Sequence, residues 1–338
     1  MSARARFFKT VGVASVICGA LVALSPFLGR HAISLSDALA GPQSWPDGFV
    51  FWKLRAPRAL MAALAGAGLA LAGGAYQALL RNALATPYTL GVASGGALGA
   101  VLAIHLGFAA VVPHGLGITG AAFLGASLTV SLSLALAQVR GRLPATTLIL
   151  AGVTFSFFCG AMTLFVQYLA NPMEMIRMLR WMIGGLDIGG LMPAVRVAPF
   201  VVLACVVLLA AAPALNLMSA GDELARSRGV DVDRVRRRVL LAASAVTAAV
   251  VAETGPIGFV GLIVPHAVRL IVGPDHRVLL PVSAVAGAAF LALCDAVARS
   301  LLADFELPVG ILTALLGGPF FLALLRSRRG SLVHNGQP

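Results

Sequence analysis

The chain has 338 residues, of which 59% are hydrophobic and 11% are charged, and its mean hydropathy is +0.94. A soluble domain carries about 25% charged residues, so this composition excludes a soluble globular protein and indicates an integral membrane protein. The net charge is +12, but lysine occurs only at Lys9 and Lys53, and the arginines stand at the ends of apolar runs. That pattern is typical of membrane topology rather than of a nucleic-acid-binding surface.

Ten apolar segments follow one another along the chain, and most approach the ~20 residues that a helix needs to cross a bilayer. The first follows a basic start, as in a signal peptide, but no clear cleavage site follows it, so we interpret it as an uncleaved span. We predict an all-α integral membrane protein with about ten transmembrane helices, in one transmembrane domain over residues 1–338 with its spans within 10–326. The segments are 10–29, 57–80, 91–112, 115–138, 145–170, 193–217, 239–254, 257–273, 279–302 and 307–326.

The seventh and eighth segments are short and meet at Thr254-Gly255-Pro256, so hydropathy alone allows one span or two. Arginines 234–238 precede the pair, and Arg269 and Arg277 lie at its far end. Both groups can be cytoplasmic only if the chain crosses twice. With ten spans and the N-terminus inside, most of the 25 Lys and Arg residues become cytoplasmic. This predicts a multi-pass membrane protein with both termini in the cytoplasm.

A charged stretch interrupts this apolar chain between the sixth and seventh predicted spans. Residues 221–238 read GDELARSRGVDVDRVRRR, and ten of these eighteen residues are charged. The topology above places the stretch in the cytoplasm. A solvated loop and a docking site for a partner both fit this pattern.

Motifs for covalent chemistry are absent from the sequence. No G-x-x-x-x-G-K-[ST] phosphate loop, H-E-x-x-H or G-x-S-x-G occurs, and the six histidines are not paired at metal-ligand spacing. Intramembrane carboxylates, which could couple transport to an ion gradient, are limited to Glu253 and Asp295 near predicted external ends. We interpret both as interfacial carboxylates. The energy source for any transport is therefore expected in another chain.

Five stretches of the chain stand out together. They are RAPRALMAALAGAGLALAGGAYQALLRNALATPYTLGVASGGALGA (55–100), GRLPATTLILAGV (141–153), GDELARSRGV (221–230), GPIGFVGLIVPHAVRLIVGPDHRVLLP (255–281) and ELPVGILTALLGGPFFLALL (306–325). In this order they resemble the FecCD family, the permease subunits of bacterial ABC importers for iron-siderophores, haem and vitamin B12, which implies the bacterial inner membrane as the location. The chain departs from the family at Ala83, Thr86 and Ala56, which affects only details around the second span.

The resemblance implies a type II importer with ten spans in each permease subunit. The implied partners are a second permease subunit, expected to be identical, two cytoplasmic ATPase chains and an external binding protein. It implies no cofactor or metal in this chain, because ATP and Mg are bound by the partner ATPase. It implies transport without catalysis by this subunit.

In the resembling family the loop between spans six and seven forms short coupling helices that dock in the ATPase. Small residues spaced by four would give such a helix one smooth stripe for a partner. Acidic residues in its first turn would lie at the positive end of the helix dipole, and a glycine would end it. The residues that match are Gly221, Asp222, Glu223, Ala225, Arg226, Gly229 and Val230.

Arg55, Arg58 and Arg299 are expected on the external side, against the general charge bias. In the family, arginines at these positions meet acidic residues of the binding protein, and the planar guanidinium suits that role because it can bind a carboxylate in two places. Snorkelling to lipid headgroups is the alternative. The cytoplasmic gate of the family falls in the loop before span five, which points to Thr146 and Thr147.

We therefore expect a permease that moves a bulky metal chelate, most simply a ferric siderophore, into the cytoplasm. Haem and cobalamin are the close alternatives, because the motifs do not separate them. An ion-coupled secondary transporter is an alternative of another class, and it would depend on Glu253 or Asp295.

Overall fold

The computed structural model describes residues 3–29, 33–108, 112, 116–138, 143–186, 189–302 and 305–334, and within these ranges it contains helices and no strands. Short 3₁₀ turns at Ser25–Phe27 and Pro87–Leu90 and a π-helical stretch at Val50–Arg55 complete it. The helices are α1 (Ala3–Leu24), α2 (Leu35–Leu39), α3 (Asp47–Phe49), α4 (Ala56–Leu79), α5 (Val92–His105), α6 (Leu116–Ala137), α7 (Ala145–Leu169), α8 (Pro172–Ile183), α9 (Met192–Ala220), α10 (Asp222–Ser227), α11 (Val232–Thr254), α12 (Val260–Val272), α13 (His276–Leu301) and α14 (Val309–His334).

The ten predicted spans coincide with α1, α4, α5, α6, α7, α9, α11, α12, α13 and α14. In the described part of the chain, six helical segments are long and apolar enough to cross a membrane, and three more are shorter apolar helices. The predicted break between spans seven and eight is confirmed, because α11 ends at Thr254 and α12 begins at Val260. The all-α membrane fold is confirmed, and the amphipathic helix α8 is an addition that was not predicted.

Helix α4 lies at the centre of the bundle and is buried along most of its length. It packs against α9, α11, α12 and α13. A Cβ atom at Gly73 would lie 1.7 Å from the carbonyl oxygen of Gly261 on α12, and one at Gly66 would lie 2.1 Å from that of Gly287 on α13. Glycine is therefore required where the backbones touch, as expected for helices packed through small residues.

Helices α5 and α12 are short, and each follows a stretch of irregular backbone inside the bundle. The 3₁₀ turn before α5 holds Tyr88, whose hydroxyl donates a hydrogen bond to the carbonyl of Ile257, 2.6 Å away in the segment before α12. This hydrogen bond joins the two irregular segments and gives the carbonyl of Ile257 a partner. Non-helical backbone at membrane depth is tolerated where protein covers it in this way.

The bundle has two polar ends. Arg58 lies in the first turn of α4, at one end of the bundle, and Arg81 follows the last residues of α4 at the other end. Helix α11 runs beside α4 in the opposite direction, and a 2.5 Å hydrogen bond between Tyr76 and Ser244 joins the two helices. We call the end that carries Arg81, Arg226, Arg236 and Arg269 the arginine-rich end, and the end that carries Arg58 and Asp295 the opposite end.

The glycine contact between α4 and α12 can be tested with matched substitutions. We expect Gly73→Leu to lower stability by about 3 kcal/mol or more, because its new atoms meet backbone that cannot turn aside. Gly160→Leu on α7 is the control, since no atom lies within 4 Å of a Cβ there. Both changes gain the same helix propensity. Unfolding of both variants in detergent is followed by tryptophan fluorescence. Equal unfolding midpoints for Gly73→Leu and Gly160→Leu would contradict the close contact between the backbones of α4 and α12.

Candidate functional site at the arginine-rich end

The predicted coupling segment forms a short helix with well-defined ends. Gly221, at φ +140°, separates α9 from α10, and Asp222 and Glu223 occupy the first turn of α10 as predicted. At its end, the amide of Val230 bonds the carbonyl of Ala225 and the amide of Gly229 bonds that of Arg226. This is a Schellman motif, and Gly229 takes its left-handed position at φ +81°.

The exposed face of α10 differs from the predicted stripe of small residues. Ala225 is fully buried in the core of this same chain, so the expectation that it faces a partner is wrong. The exposed face is instead formed by Glu223, Leu224, Arg226 and Arg228. Leu224 is 44% exposed among these charges. The spacing of small residues in the sequence did not identify this exposed apolar side chain of Leu224 on a charged helix.

Asp222 holds α10 to the rest of the arginine-rich end. One of its carboxylate oxygens pairs with the Arg81 guanidinium, and the other lies 2.8 Å from Nη2 of Arg236, which is buried. Burial alone would raise the pKa of Asp222, but the hydrogen bonds and charges of Arg236 and Arg81 hold that pKa below its usual value. Asp222 is therefore a charged anchor and faces this chain rather than solvent.

The same arginine connects α10 to the loop before α7. Nη1 of Arg236 donates to the carbonyl of Leu143 at 2.9 Å, and the amide of Leu143 donates to Asp233 at 3.3 Å. The other carboxylate oxygen of Asp233 pairs with Arg226 on α10 at 3.1 Å. Both backbone groups of Leu143 are thus held by the start of α11. We call Arg81, Leu143, Asp222, Asp233 and Arg236 the anchor network.

The proposed gate residues lie directly beyond this network. Thr146 and Thr147 stand in the first turn of α7, three and four residues after Leu143, with Thr146 exposed and Thr147 half-buried. The sequence motif pointed to these threonines but not to Asp233 and Arg236, whose contacts are more than 80 residues distant in the chain. Their role as a gate stays a prediction.

At the opposite end, Arg58 and Arg299 both lie on one buried carboxylate, that of Asp295, and Arg55 lies nearby without bonding it. Asp295 accepts from Nε of Arg58 at 2.8 Å and from Nε of Arg299 at 3.0 Å. Arg58 also pairs with Glu306 at 2.6 Å, and Arg299 donates to the carbonyl oxygens of Ser25 and Leu28, in and just after the 3₁₀ turn that follows α1. The cluster ties α1, α4 and α13 to one another.

These contacts change how the docking prediction must be understood. Arg58 and Arg299 are 9% and 8% exposed, and they are committed to Asp295 in this conformation. Arg55 is half-buried and donates to the carbonyl of Pro26 at 3.2 Å. Contact of the three arginines with a binding protein stays a prediction, and the geometry makes Arg55 the most accessible of them.

The two intramembrane carboxylates each lie beside an arginine, and their placement at the membrane interface stays a prediction. Asp295 is fully buried, and Glu253 is nearly so and lies 2.8 Å from Nε of Arg196 on α9. Each carboxylate therefore faces an arginine within the fold.

Comparison with known proteins decides what kind of subunit carries these features. Residues 17–327 match the FecCD transport family. The chain belongs to the FecCD family. It is an ABC importer permease, a transport component, and the family works with ATPase and binding-protein partners.

Relatives named for different cargoes cover most of the chain. A cobalamin import system permease protein of Halobacterium salinarum is 48% identical over 276 residues, which are 81% of this chain and 73% of that protein. A hemin transport system permease protein of Yersinia pestis is 37% identical over 300 residues, covering 88% and 90%. A solved metal-chelate type ABC transporter in an inward-facing conformation superposes with a TM-score of 0.83 at 31% identity, covering 95% of this chain and 99% of that one.

The anchor network makes a pH-dependent prediction for this FecCD permease. Because the pKa of Asp222 is lowered by folding, its stabilisation is present above the ordinary Asp pKa of about 3.9 and is lost as the pH falls through the folded value. Asp222→Asn should therefore cost roughly 1–2 kcal/mol near pH 7, and the difference from wild type should shrink below about pH 4.

Glu223→Gln is the matched control, since it removes the adjacent, exposed carboxylate of α10. Denaturant unfolding of both variants in detergent, at several pH values, measures the effect. A constant difference between Asp222→Asn and wild type from pH 7 to pH 3.5 would show that the ion pairs do not stabilise α10.

Proposed function

We propose that this FecCD permease moves a bulky metal chelate across the cytoplasmic membrane into the cell, driven by ATP that partner chains hydrolyse. The relatives named for cobalamin, hemin and metal chelates support a chelated metal as the shared cargo. A ferric siderophore was the simplest expectation from the sequence, although its motifs do not separate ferric siderophore, haem and cobalamin. The 48% identity to a cobalamin permease makes cobalamin the first candidate to test, with haem and ferric siderophore beside it.

The anchor network is the observation that carries the ATP-driven part of this proposal. An ATPase that moves the exposed face of α10 would pull on Asp222 and Arg226, and through Arg236 and Asp233 on both backbone groups of Leu143. Leu143 precedes α7, so the displacement reaches the proposed gate at Thr146 and Thr147 without crossing a flexible loop. Positive charge at this end of the bundle supports its placement in the cytoplasm, with both termini.

The opposite end would receive the external binding protein, with Arg55 as the accessible contact. Two copies of the permease would enclose the pathway, and a second, non-identical permease is the alternative. No cofactor is proposed for this chain, and ATP with Mg would be bound by the ATPase.

The cargo is tested by purifying the cognate binding protein and measuring its affinity for cobalamin, haem and a ferric siderophore side by side. Uptake is then followed in liposomes that hold the permease with its ATPase. We expect uptake of the tightest ligand only when ATP, ATPase and binding protein are all present. Uphill accumulation by the permease alone would refute the proposal and would favour ion coupling.

The coupling role of α10 is tested at its exposed leucine. Leu224→Asp should weaken ATPase binding by more than tenfold, because truncating or charging an apolar anchor at an interface costs at least ~1.4 kcal/mol. Leu39→Asp is the control, as Leu39 is also exposed but lies at the opposite end. Unchanged ATPase affinity for the Leu224 variant, measured by surface binding in detergent, would remove α10 from the interface.

The docking role of Arg55 is tested by charge reversal. Arg55→Glu should weaken association with the binding protein, more at low salt than at high salt. Lys53→Glu, two residues away and exposed, controls for general electrostatic attraction. Arg58→Glu should chiefly lower the melting temperature, because it opposes Asp295 with a second buried negative charge. Equal weakening by the Lys53 and Arg55 variants would show that Arg55 makes no specific contact.

A further inference from the structure

Three large aromatic side chains are exposed on the segment that leads into α4. Trp45 is 78% exposed, Trp52 48% and Phe49 38%. The ring centroids of Trp45 and Phe49 lie 5.4 Å apart, and Trp52 follows Phe49 by three residues on the same helix, where side chains are neighbours. An aromatic side chain offers roughly 150–250 Å², so these three leave roughly 250–400 Å² of apolar surface open. We call Trp45, Phe49 and Trp52 the aromatic patch.

The aromatic patch is held in place by the residues beside it. Phe51 is buried and packs against Phe27, in the 3₁₀ turn after α1, with ring centroids 4.9 Å apart. Nε1 of Trp52 donates to the carbonyl of Ala38 at 2.8 Å, which ties the π-helical stretch to α2. The indole N–H is thus satisfied within the chain, while almost half of the Trp52 residue stays exposed. A preordered aromatic surface loses little conformational entropy when a partner covers it.

Helix length places the aromatic patch beyond the lipid headgroups. The helix is continuous from Asp47 to Leu79, and Arg81, whose side chain is 45% exposed, follows two residues later. Phe49 stands about 45 Å from Leu79 at ~1.5 Å per residue, and a typical tilt of ~20° shortens this by only ~3 Å. The hydrocarbon core and the outer headgroup region together measure roughly 35–38 Å. With Leu79 at the inner edge of that core, lipid does not reach Phe49, and an apolar patch of this size in water marks a site for a protein partner.

The aromatic patch adjoins the arginine to which the proposed function assigns docking. Arg55 ends the same π-helical stretch, three residues after Trp52 and about 9 Å along the helix from Phe49. A standard interface covers about 800 Å² on each partner, and a circle of that area has a radius of about 16 Å. One partner that is centred on Arg55 therefore covers the aromatic patch as well. Tryptophan and arginine are among the residue types that most often carry binding energy at interfaces.

We propose, on the basis of the proposed function, in which this end of the bundle is external and Arg55 is a docking contact, that the aromatic patch is the apolar anchor for the external binding protein. The partner surface has an apolar pocket for Trp45 beside a carboxylate for Arg55. The patch supplies affinity through the burial of apolar surface, whereas the arginine supplies an attraction that salt screens.

The test measures surface binding of the purified cognate binding protein to the full-length permease in nanodiscs. Trp45→Ala should weaken binding more than tenfold, as expected when an aromatic anchor is removed from an interface. Phe157→Ala is the matched control, since Phe157 is 76% exposed but lies in the middle of α7, at the depth of the bilayer. The loss for Trp45→Ala should be equal at low and high salt, unlike the loss for Arg55→Glu.

A second measurement decides whether lipid covers the aromatic patch instead. In the double variant Trp52→Phe, Trp181→Phe, the side chain of Trp45 is the only tryptophan of the chain. Without binding protein, acrylamide in the water should quench its fluorescence, and phospholipids brominated on their acyl chains should not. Quenching by the brominated phospholipids would assign the patch to the membrane and overturn the proposal.

These outcomes separate the aromatic patch from the proposed function. If wild type binds the binding protein and Trp45→Ala binds it as tightly as Phe157→Ala does, the patch is not an anchor, while docking on this permease stands. If wild type does not bind the binding protein at all, the docking part of the proposed function falls together with the patch.

A variant that keeps the aromatic bulk serves in case Trp45→Ala fails to fold. A benzophenone amino acid at position 45 should cross-link to the binding protein on illumination. A cross-link only to lipid or to a second copy of the permease, or no cross-link, overturns the proposal.

Discussion

The backbone contacts of α4 are the constraint on which the rest of this permease depends. Glycines at positions 66 and 73 let the backbones of α13 and α12 touch α4 directly. In a membrane, helices associate through such packing, because lipid tails are as apolar as the side chains and burial alone gives little attraction. With α4 fixed, its two ends set the positions of Arg58 and Arg81, and the charged clusters at both ends of the bundle assemble around them.

The two ends use buried charge in related ways. At the opposite end Asp295 holds two arginines and joins α1, α4 and α13. At the arginine-rich end Arg236 holds Asp222 and the backbone of Leu143, and so joins α10, α11 and the start of α7. A buried ion pair adds little net stability but is costly to break. Such pairs therefore fix the contacts between these helices in this conformation.

Much of the fold could be predicted from the sequence, and particular elements show why. Most of the apolar segments were recognised from length and hydropathy, since a bilayer imposes both, and the positions of the arginines divided the seventh from the eighth. The ends of α10 were predicted correctly because Gly229 and the acidic first turn act through local backbone geometry. Helix α8 was not predicted, because it is short and amphipathic, and no bilayer constraint marks it.

The sequence by itself determined the class of protein, the break at Thr254 and the family, since each is recorded in residue type and local order. Only the tertiary structure decided that Ala225 faces inward, that Asp295 sits between Arg58 and Arg299, and that Arg236 reaches Leu143. The physical reason is that the rotation of a helix about its axis is set by its neighbours. A side chain's partner, more than 200 residues away for Arg58 and Asp295, leaves no mark in the local pattern.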